Sequence, residues 1–340
     1  MAKIDKRIEI VVQRGGRVDD TSQTPLTEML RILRMTYQNV GVSYVSGTSD
    51  LKKLGLDSGD LALLRIKRLR GASDNIADRV WASDEFDARE INYSGSQSYA
   101  FSLEFSKHKA KSVIAAAGLN TADFFVANQA FRTNDSSRSL DFPLFLKPDT
   151  LGSSRGISSD SVVHDDLSLN NKIDAIRDSW GGDTIVESYL EGREFSVALL
   201  HDNDTGISHV MPIEIVAPKN SSGDRILSNT TKRANSEKVL NVEQSPLREA
   251  LKSLALSSFN RLEGRDYARI DMRLDDKGNP SFMEANFLPG LGFTGYFARA
   301  CQINMGWDYE EVLQRLVASC LARPMLENSP SIKMGTYPRS

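Results

Sequence analysis

Residues 269–286, R-I-D-M-R-L-D-D-K-G-N-P-S-F-M-E-A-N, constrain this chain more than any other stretch. They read as two β-strands closed by a polar turn over 275–280. If Leu274 faces Ser281, the antiparallel register sets Asp271 opposite Glu284 and Arg269 opposite Asn286. Two carboxylates directly opposite each other repel, and a sheet normally avoids that pair. A divalent cation removes the repulsion. Oxygen ligands from Asp, Glu and Asn suit Mg²⁺, which keeps several waters and usually completes its shell with nucleotide phosphates. A solvated hairpin face is the other reading of the same pattern.

The rest of the chain decides whether a nucleotide accompanies such a metal. With 340 residues it can bury a sizeable core, and length alone suggests two or three domains. A net charge of -3 gives no footprint of nucleic-acid or anionic-membrane binding, so small molecules are the expected partners. No run of apolar residues is long enough to span a bilayer and the N-terminus lacks a signal-like segment, which fits a cytoplasmic enzyme. Cys301 and Cys320 read as core thiols, and the four histidines have no metal-ligand spacing.

Strand-like runs occur at 7–13 and 61–66, with helical patterns at 25–37 and 107–117, so the first hundred residues read as a reduced α/β domain. Further strands are expected at 142–148, 184–189, 194–200 and 208–216, with a helix between Asp165 and Trp180, an α+β pattern. A last helix is expected after Asp308, with Glu311 completing a capping box. The polar stretch 218–238 reads as a lid.

Two further segments suit a nucleotide. In F-P-L-F-L-K-P-D-T-L-G-S-S-R-G-I, residues 142–157, Lys147 leaves a buried strand and enters a Gly-Ser loop whose successive amides can form an anion-binding concavity. It is neither a Walker A loop nor G-x-G-x-x-G, and a plain surface loop is the alternative. In I-V-E-S-Y-L-E-G-R-E-F-S-V, residues 185–197, Glu187 ends one strand and Glu194 begins the next. Such a hinge can present a backbone edge to a purine and a carboxylate to ribose hydroxyls.

Taken in this order, with N-Y-S-G-S at 92–96, S-K-H-K-A-K at 106–111 and M-E-A-N-F-L-P-G-L at 283–291, these segments resemble the ATP-grasp superfamily, most closely its D-alanine-D-alanine ligase branch. The resemblance implies a mixed α/β and α+β three-domain ATP-grasp fold: an N-terminal substrate domain at 1–95, a central subdomain at 96–187, a C-terminal subdomain at 188–325, and a loose tail at 326–340. It implies ATP as the nucleotide and two Mg²⁺ ions, with Mn²⁺ able to replace them. Lys107 and Lys147 would contact the phosphates, and Gly152, Ser153, Ser154 and Gly156 would close over them, with Lys232 reaching in from the lid. Glu187 and the backbone through Leu190 would hold adenine, and Glu194 ribose. Asp271 and Glu284 would bind one metal ion, Glu284 and Asn286 the second. Arg269, Gly290 and Ser153 would serve the reaction itself, Arg269 as the cation facing the transferred phosphoryl group. The branch commonly forms homodimers through its N-terminal part.

The implied chemistry is phosphorylation of a carboxylate by ATP, then attack of an amine on the acyl phosphate, which requires charge stabilisation and exclusion of water rather than a protein nucleophile. Three positions depart from the branch. Asp20 stands where a longer glutamate holds the first substrate's ammonium group, and L-L-R-I-K-R-L-R-G at 63–71 replaces a histidine-glycine segment. L-G-F-T-G-Y puts Gly295, between Thr294 and Tyr296, where a serine binds the second substrate's carboxylate. These departures favour an amino-acid or peptide ligase with an acceptor unlike D-alanine. A true D-alanine-D-alanine ligase, an ATP-grasp kinase and a nucleotide-binding pseudoenzyme are the alternatives.

Overall fold

The computed structural model describes residues 3–15, 23–70, 79–128, 131, 140–152, 154–219, 223, 225–227, 231, 234 and 236–324. The chain opens with β1 (Ile4–Gln13), α1 (Gln23–Thr36), β2 (Tyr37–Val45), α2 (Thr48–Lys52), β3 (Leu61–Leu64), β4 (Arg68–Leu69), β5 (Val80–Trp81), α3 (Ala82–Asp87) and β6 (Asn92–Tyr93). Strands β2, β1, β3 and β6 lie side by side in that order, all parallel. A parallel sheet covered on both faces needs continuous apolar strands, and Ile8, Ile10, Val11 and Val12 of β1 are all buried. The sequence pattern does not announce β2, because Gln38, Asn39, Gly41 and Ser43 interrupt its apolar residues. Pairing with β1 along its length makes it a strand.

The middle of the chain adds α4 (Ser98–Phe105), α5 (Lys107–Ala116), β7 (Phe124–Ala127), β8 (Leu144–Pro148), β9 (Val162–Val163), α6 (Asp166–Trp180) and β10 (Thr184–Ser188). Here the sheet is antiparallel, ordered β7-β10-β8-β9, and α6 packs Leu169, Ile173 and Ile176 against it. Asp165 caps α6 by accepting from the Ser168 N–H at 2.7 Å.

The remaining elements are β11 (Glu194–Asp202), β12 (Ile207–Val216), β13 (Lys238–Asn241), α7 (Pro246–Arg261), β14 (Tyr267–Leu274), β15 (Pro280–Asn286), α8 (Tyr296–Met305) and α9 (Tyr309–Ala322). They form a five-stranded antiparallel sheet, β13-β12-β11-β14-β15, with α7, α8 and α9 packed on it. Asp308 caps α9 through the Glu311 N–H, but only this half of the expected capping box forms. One apolar core joins these helices to α1 and β1, so the first and last parts of the chain share an interior. Cys301 and Cys320 are free and buried in it, as expected. Among the described residues no helix is long and apolar enough to cross a membrane.

A buried ion pair fastens this assembly. Asp266, with φ of 60°, accepts from the Gly95 N–H at 2.8 Å and from Asn203 at 3.1 Å, and pairs with Arg323 at 2.5 Å. Arg323 also donates to the Tyr93 carbonyl, and Arg265 to that of Gly95. The N-Y-S-G-S segment thus ties the first sheet to the third. Removing one member of a buried pair strands the other charge. Asp266→Asn, which keeps both the shape and a residue tolerant of this backbone, should therefore destabilise the protein by about 3–5 kcal/mol. Urea unfolding measures it, and a loss below ~1 kcal/mol, the range of a surface pair, would contradict the buried role.

Candidate active site

Side chains on a strand alternate between faces, and on the five-stranded sheet this separates core from chemistry. Phe195, Val197, Ile270 and Met272 point into the core. The opposite face carries Glu194 and Ser196 from β11, Arg269, Asp271 and Arg273 from β14, and Glu284 and Asn286 from β15. The register pairs Ser196 and Glu284 with Asp271 from either side, and Asn286 with Arg269. The sequence expectation for Asp271–Glu284 and Arg269–Asn286 therefore holds. It fails at the turn: a bulge after Asp271 shifts the ladder, so Leu274 faces Pro280 and Arg273 faces Ser281. The extra residue is Met283, and a bulge of this kind redirects a side chain.

The repulsion foreseen between the two carboxylates is relieved on one side by the protein itself. Arg269 donates to Asp271 through Nε at 2.9 Å and Nη2 at 2.8 Å, while Ser196 donates at 2.6 Å. Burial opposes the Arg269 charge, but Asp271 outweighs it and pushes its pKa far up. Glu284, by contrast, makes no side-chain hydrogen bond or ion pair among the described residues. An oxygen-only set of one guanidinium-bound carboxylate, one carboxylate without a cation and one amide fits a hard divalent ion. Among the described residues no cluster of three or more His, Cys, Asp or Glu exists that would form an all-protein cage.

Facing this set is a buried group of charges. Glu187 lies between Lys147 at 3.0 Å and Lys111 at 3.1 Å, all three buried. Burial opposes ionisation of Glu187, but the two ammonium groups outweigh it and hold its pKa below the usual carboxylate value. Burial likewise opposes the charge on Lys147, yet Glu187 and Glu284 raise its pKa, whereas burial prevails at Lys111 and Lys107 and lowers theirs. Lys147 thus keeps its charge firmly against Glu187, whereas burial weighs against the charge on Lys111 and Lys107. Lys107 donates to the carbonyls of Pro148, Asp149 and Leu151, which lead into the Gly-Ser loop. Asp149 in turn accepts from the His108 N–H at 2.8 Å, fixing the start of α5 and with it Lys107.

Within that loop Gly152 is exposed, and Gly156 has φ of 76° with only 2.5 Å between a Cβ there and Pro148, so no larger residue fits. Ser154 donates to the Leu227 carbonyl at 3.1 Å, bringing the loop against the polar stretch 218–238. A narrow slot opens beside Glu187, lined by Phe145, Tyr189, Leu190, Arg273 and Met283. Arg273 braces its wall by donating to the Gly192 carbonyl at 2.9 Å. Glu187 borders the slot, but its carboxylate is already engaged by the lysines. Glu194 begins β11, opposite Arg273 and within electrostatic reach of Lys147.

Beyond Arg269, Gly290 and Gly295 lie in the connection to α8. Thr294 is exposed, while Tyr296 lies with its ring centroid 5.6 Å from the Arg269 guanidinium. A Cβ on Gly295 would come 3.1 Å from the carbonyls of both Gly290 and Gly292. Of the basic segment, Arg65 donates to the Pro289 carbonyl at 3.3 Å, whereas Lys67 pairs with Glu104 and Arg68 lies over Trp81. Asp20, Ser153 and Lys232 fall outside the described residues.

Residues 113–318, more than half of the chain, match the family model for the D-Ala-D-Ala ligase C-terminus. The chain belongs to the D-Ala-D-Ala ligase family. The family consists of ATP-grasp carbon–nitrogen ligases, and this chain is one. The D-alanine–D-alanine ligase of Desulfotalea psychrophila is 26% identical over 323 residues, 92% of this chain and 94% of that protein. An uncharacterised protein of Sinorhizobium fredii, y4sG, is 26% identical over 262 residues, 74% of this chain and 75% of its own length. The D-alanine–D-alanine ligase of Bacillus anthracis, solved with ATP, superimposes with a TM-score of 0.72 at 21% identity, covering 93% of this chain and 97% of that one. The ATP-grasp fold is therefore shared.

In this D-Ala-D-Ala ligase family member, sequence reasoning missed Lys111, Ser196, Arg273 and Met283. Three carried a usable signal. Lys111 is four residues after Lys107 and so shares its helix face, Arg273 continues the period of Arg269 and Asp271, and Ser196 repeats that of Glu194. Met283 had none, because only the bulge directs it to the slot.

The lowered pKa of Glu187 sets a pH dependence. Its contribution to stability is complete above the unfolded carboxylate pKa and is lost as pH falls through the lower folded value. Glu187→Gln should thus cost most of its stability, about 3–5 kcal/mol, at neutral pH, with the gap to the unaltered protein closing in acid. Urea unfolding across pH measures this, and a gap independent of pH would contradict it.

Proposed function

We propose that the protein is an ATP-dependent ligase that activates the carboxylate of D-alanine and joins it to the amine of a second D-alanine. The observation that carries this reading is the pairing of Arg269, Asp271, Glu284 and Asn286 on one sheet face with the buried Lys107, Lys111 and Lys147 across from them. A triphosphate between the two supplies the anions that the lysines lack. Its purine would enter the slot at Phe145, Tyr189, Leu190 and Met283, and Glu194 would reach the ribose. The three sheets would serve as the substrate domain and the two halves of the nucleotide clasp.

Asp271, Glu284 and Asn286 would hold Mg²⁺, which when bound neutralises charge on the phosphates and supports in-line transfer. The chain's own residues account for the other requirements. Lys107 and Lys147 fix the phosphates, and Arg269, kept cationic by Asp271, faces the developing negative charge of phosphoryl transfer and of the later tetrahedral oxyanion. The stretch containing Leu227 leans on Ser154 and excludes water from the acyl phosphate. The acceptor's ammonium group gives up one proton to free its lone pair, and the amine attacks the acyl carbon. Collapse of the tetrahedral intermediate expels inorganic phosphate, which carries off the second proton, and leaves the amide.

Gly295 favours a second reading, an amino-acid or peptide ligase whose acceptor differs from D-alanine. Serine there would crowd two backbone carbonyls at 3.1 Å, so a hydroxyl for the acceptor's carboxylate is not simply restored. Incubation with ATP, Mg²⁺ and D-alanine, followed by ADP assay and mass detection, should yield the dipeptide with one ADP per amide. Amide formed only with another acceptor selects the second reading, and ADP release without any amide overturns both. Glu284→Gln should lower kcat on the order of 100-fold or more, because charge neutralisation at this step supplies several kcal/mol.

A further inference from the structure

Across the site the charged groups fall in an order. Glu284 is within electrostatic reach of Lys107 and Lys147, Arg269 is within reach of Glu284 and Tyr296, and Tyr296 is bonded to Glu237. Tyr296, whose ring centroid lies 5.6 Å from the Arg269 guanidinium, thus links Glu237 to Arg269. It is only 9% exposed, and its Oε1 accepts from the Tyr296 hydroxyl at 2.6 Å. Burial and the carboxylate drive the Tyr296 pKa far up, so the phenol keeps its proton and is the donor. The second oxygen, Oε2, is buried with no hydrogen-bond partner among the described residues. A buried carboxylate oxygen without a donor is costly, and such an atom in a native site calls for an explanation.

We propose that Glu237, positioned by Tyr296, receives the ammonium group of the acceptor amine. The proposal rests on the ligase reading above and adds how the acceptor is held. Arg269 faces the acyl phosphate in that reading, and Tyr296 sets Glu237 beside Arg269, next to the carbon that the amine attacks. An ammonium group supplies both the N–H donor that Oε2 lacks and a charge opposite to the carboxylate. Glu237 also lies immediately before β13, whose pairing with β12 holds it in place.

The test compares a charged and an uncharged acceptor. Hydroxylamine, uncharged at neutral pH, traps an acyl phosphate as a hydroxamate, whereas D-alanine arrives as an ammonium ion. In Glu237→Gln the KM of the second D-alanine, divided by that of hydroxylamine, should rise by about tenfold or more, as expected for loss of a charged hydrogen bond. Tyr296→Phe retains the ring beside Arg269 and removes only the hydroxyl, and it should raise the same ratio by about threefold or more. Both KM values moving together, or neither moving, overturns the proposal and leaves Glu237 a structural carboxylate. If the unaltered protein forms no hydroxamate from D-alanine and ATP, the ligase reading fails first and the proposal with it.

Discussion

Arg269 and Asp271 stand two residues apart on one strand, so both leave the sheet on the same side and the guanidinium grips the carboxylate through two bonds. This contact makes the rest of the site affordable. With Asp271 held by Arg269 and Ser196, the sheet tolerates Glu284 directly across from it. Arg269 is in turn oriented, with one side toward Asp271 and the other toward the Tyr296 ring. Replacing Asp271 would remove a proposed Mg²⁺ ligand and also release the Arg269 cation from its partner.

The opposing lysine group obeys the same physics under greater burial. Glu187 and Lys147 form an ion pair in a dry interior, where desolvation can exceed the attraction between the charges. Lys111 and Lys107 add two more ammonium groups to the same region, where burial opposes their charge. Such a group is poor for stability and well suited to an anionic ligand, because a phosphate meets charges that are already desolvated and positioned. The polar stretch beyond β12 touches both halves, through Leu227 on the Gly-Ser loop and Glu237 on Tyr296.

Much of this was legible in the chain. Apolar runs announced β1, β3, β8 and β10–β12, and a capping residue announced α9, whereas the Asp165 cap of α6 emerged only from the structure. Alternation alone placed Arg269 and Asp271 on one face, and counting across the turn gave their partners. The count failed at Leu274 because a bulge leaves no mark on hydrophobic pattern. Glu187 read as an adenine ligand because sequence offers no sight of Lys111, which comes from a helix some seventy-six residues earlier. The basic run at 63–71 read as one unit, yet packing divides it, with Arg65 at the Pro289 turn, Lys67 paired with Glu104 of α4 and Arg68 laid over Trp81.

The sequence by itself pointed to the family through a resemblance spread over several motifs. It determined the pairing of Asp271 with Glu284 and the residues on the polar face of the hairpin, because those follow from spacing and periodicity along one segment. Only the tertiary structure decided that Glu187 is held by two lysines, that Met283 enters the slot, and that Glu237 lies buried behind Tyr296 with one oxygen free. Each of these depends on groups distant in the chain meeting in a region without water, where burial and partner together fix charge and direction. Local pattern carries neither.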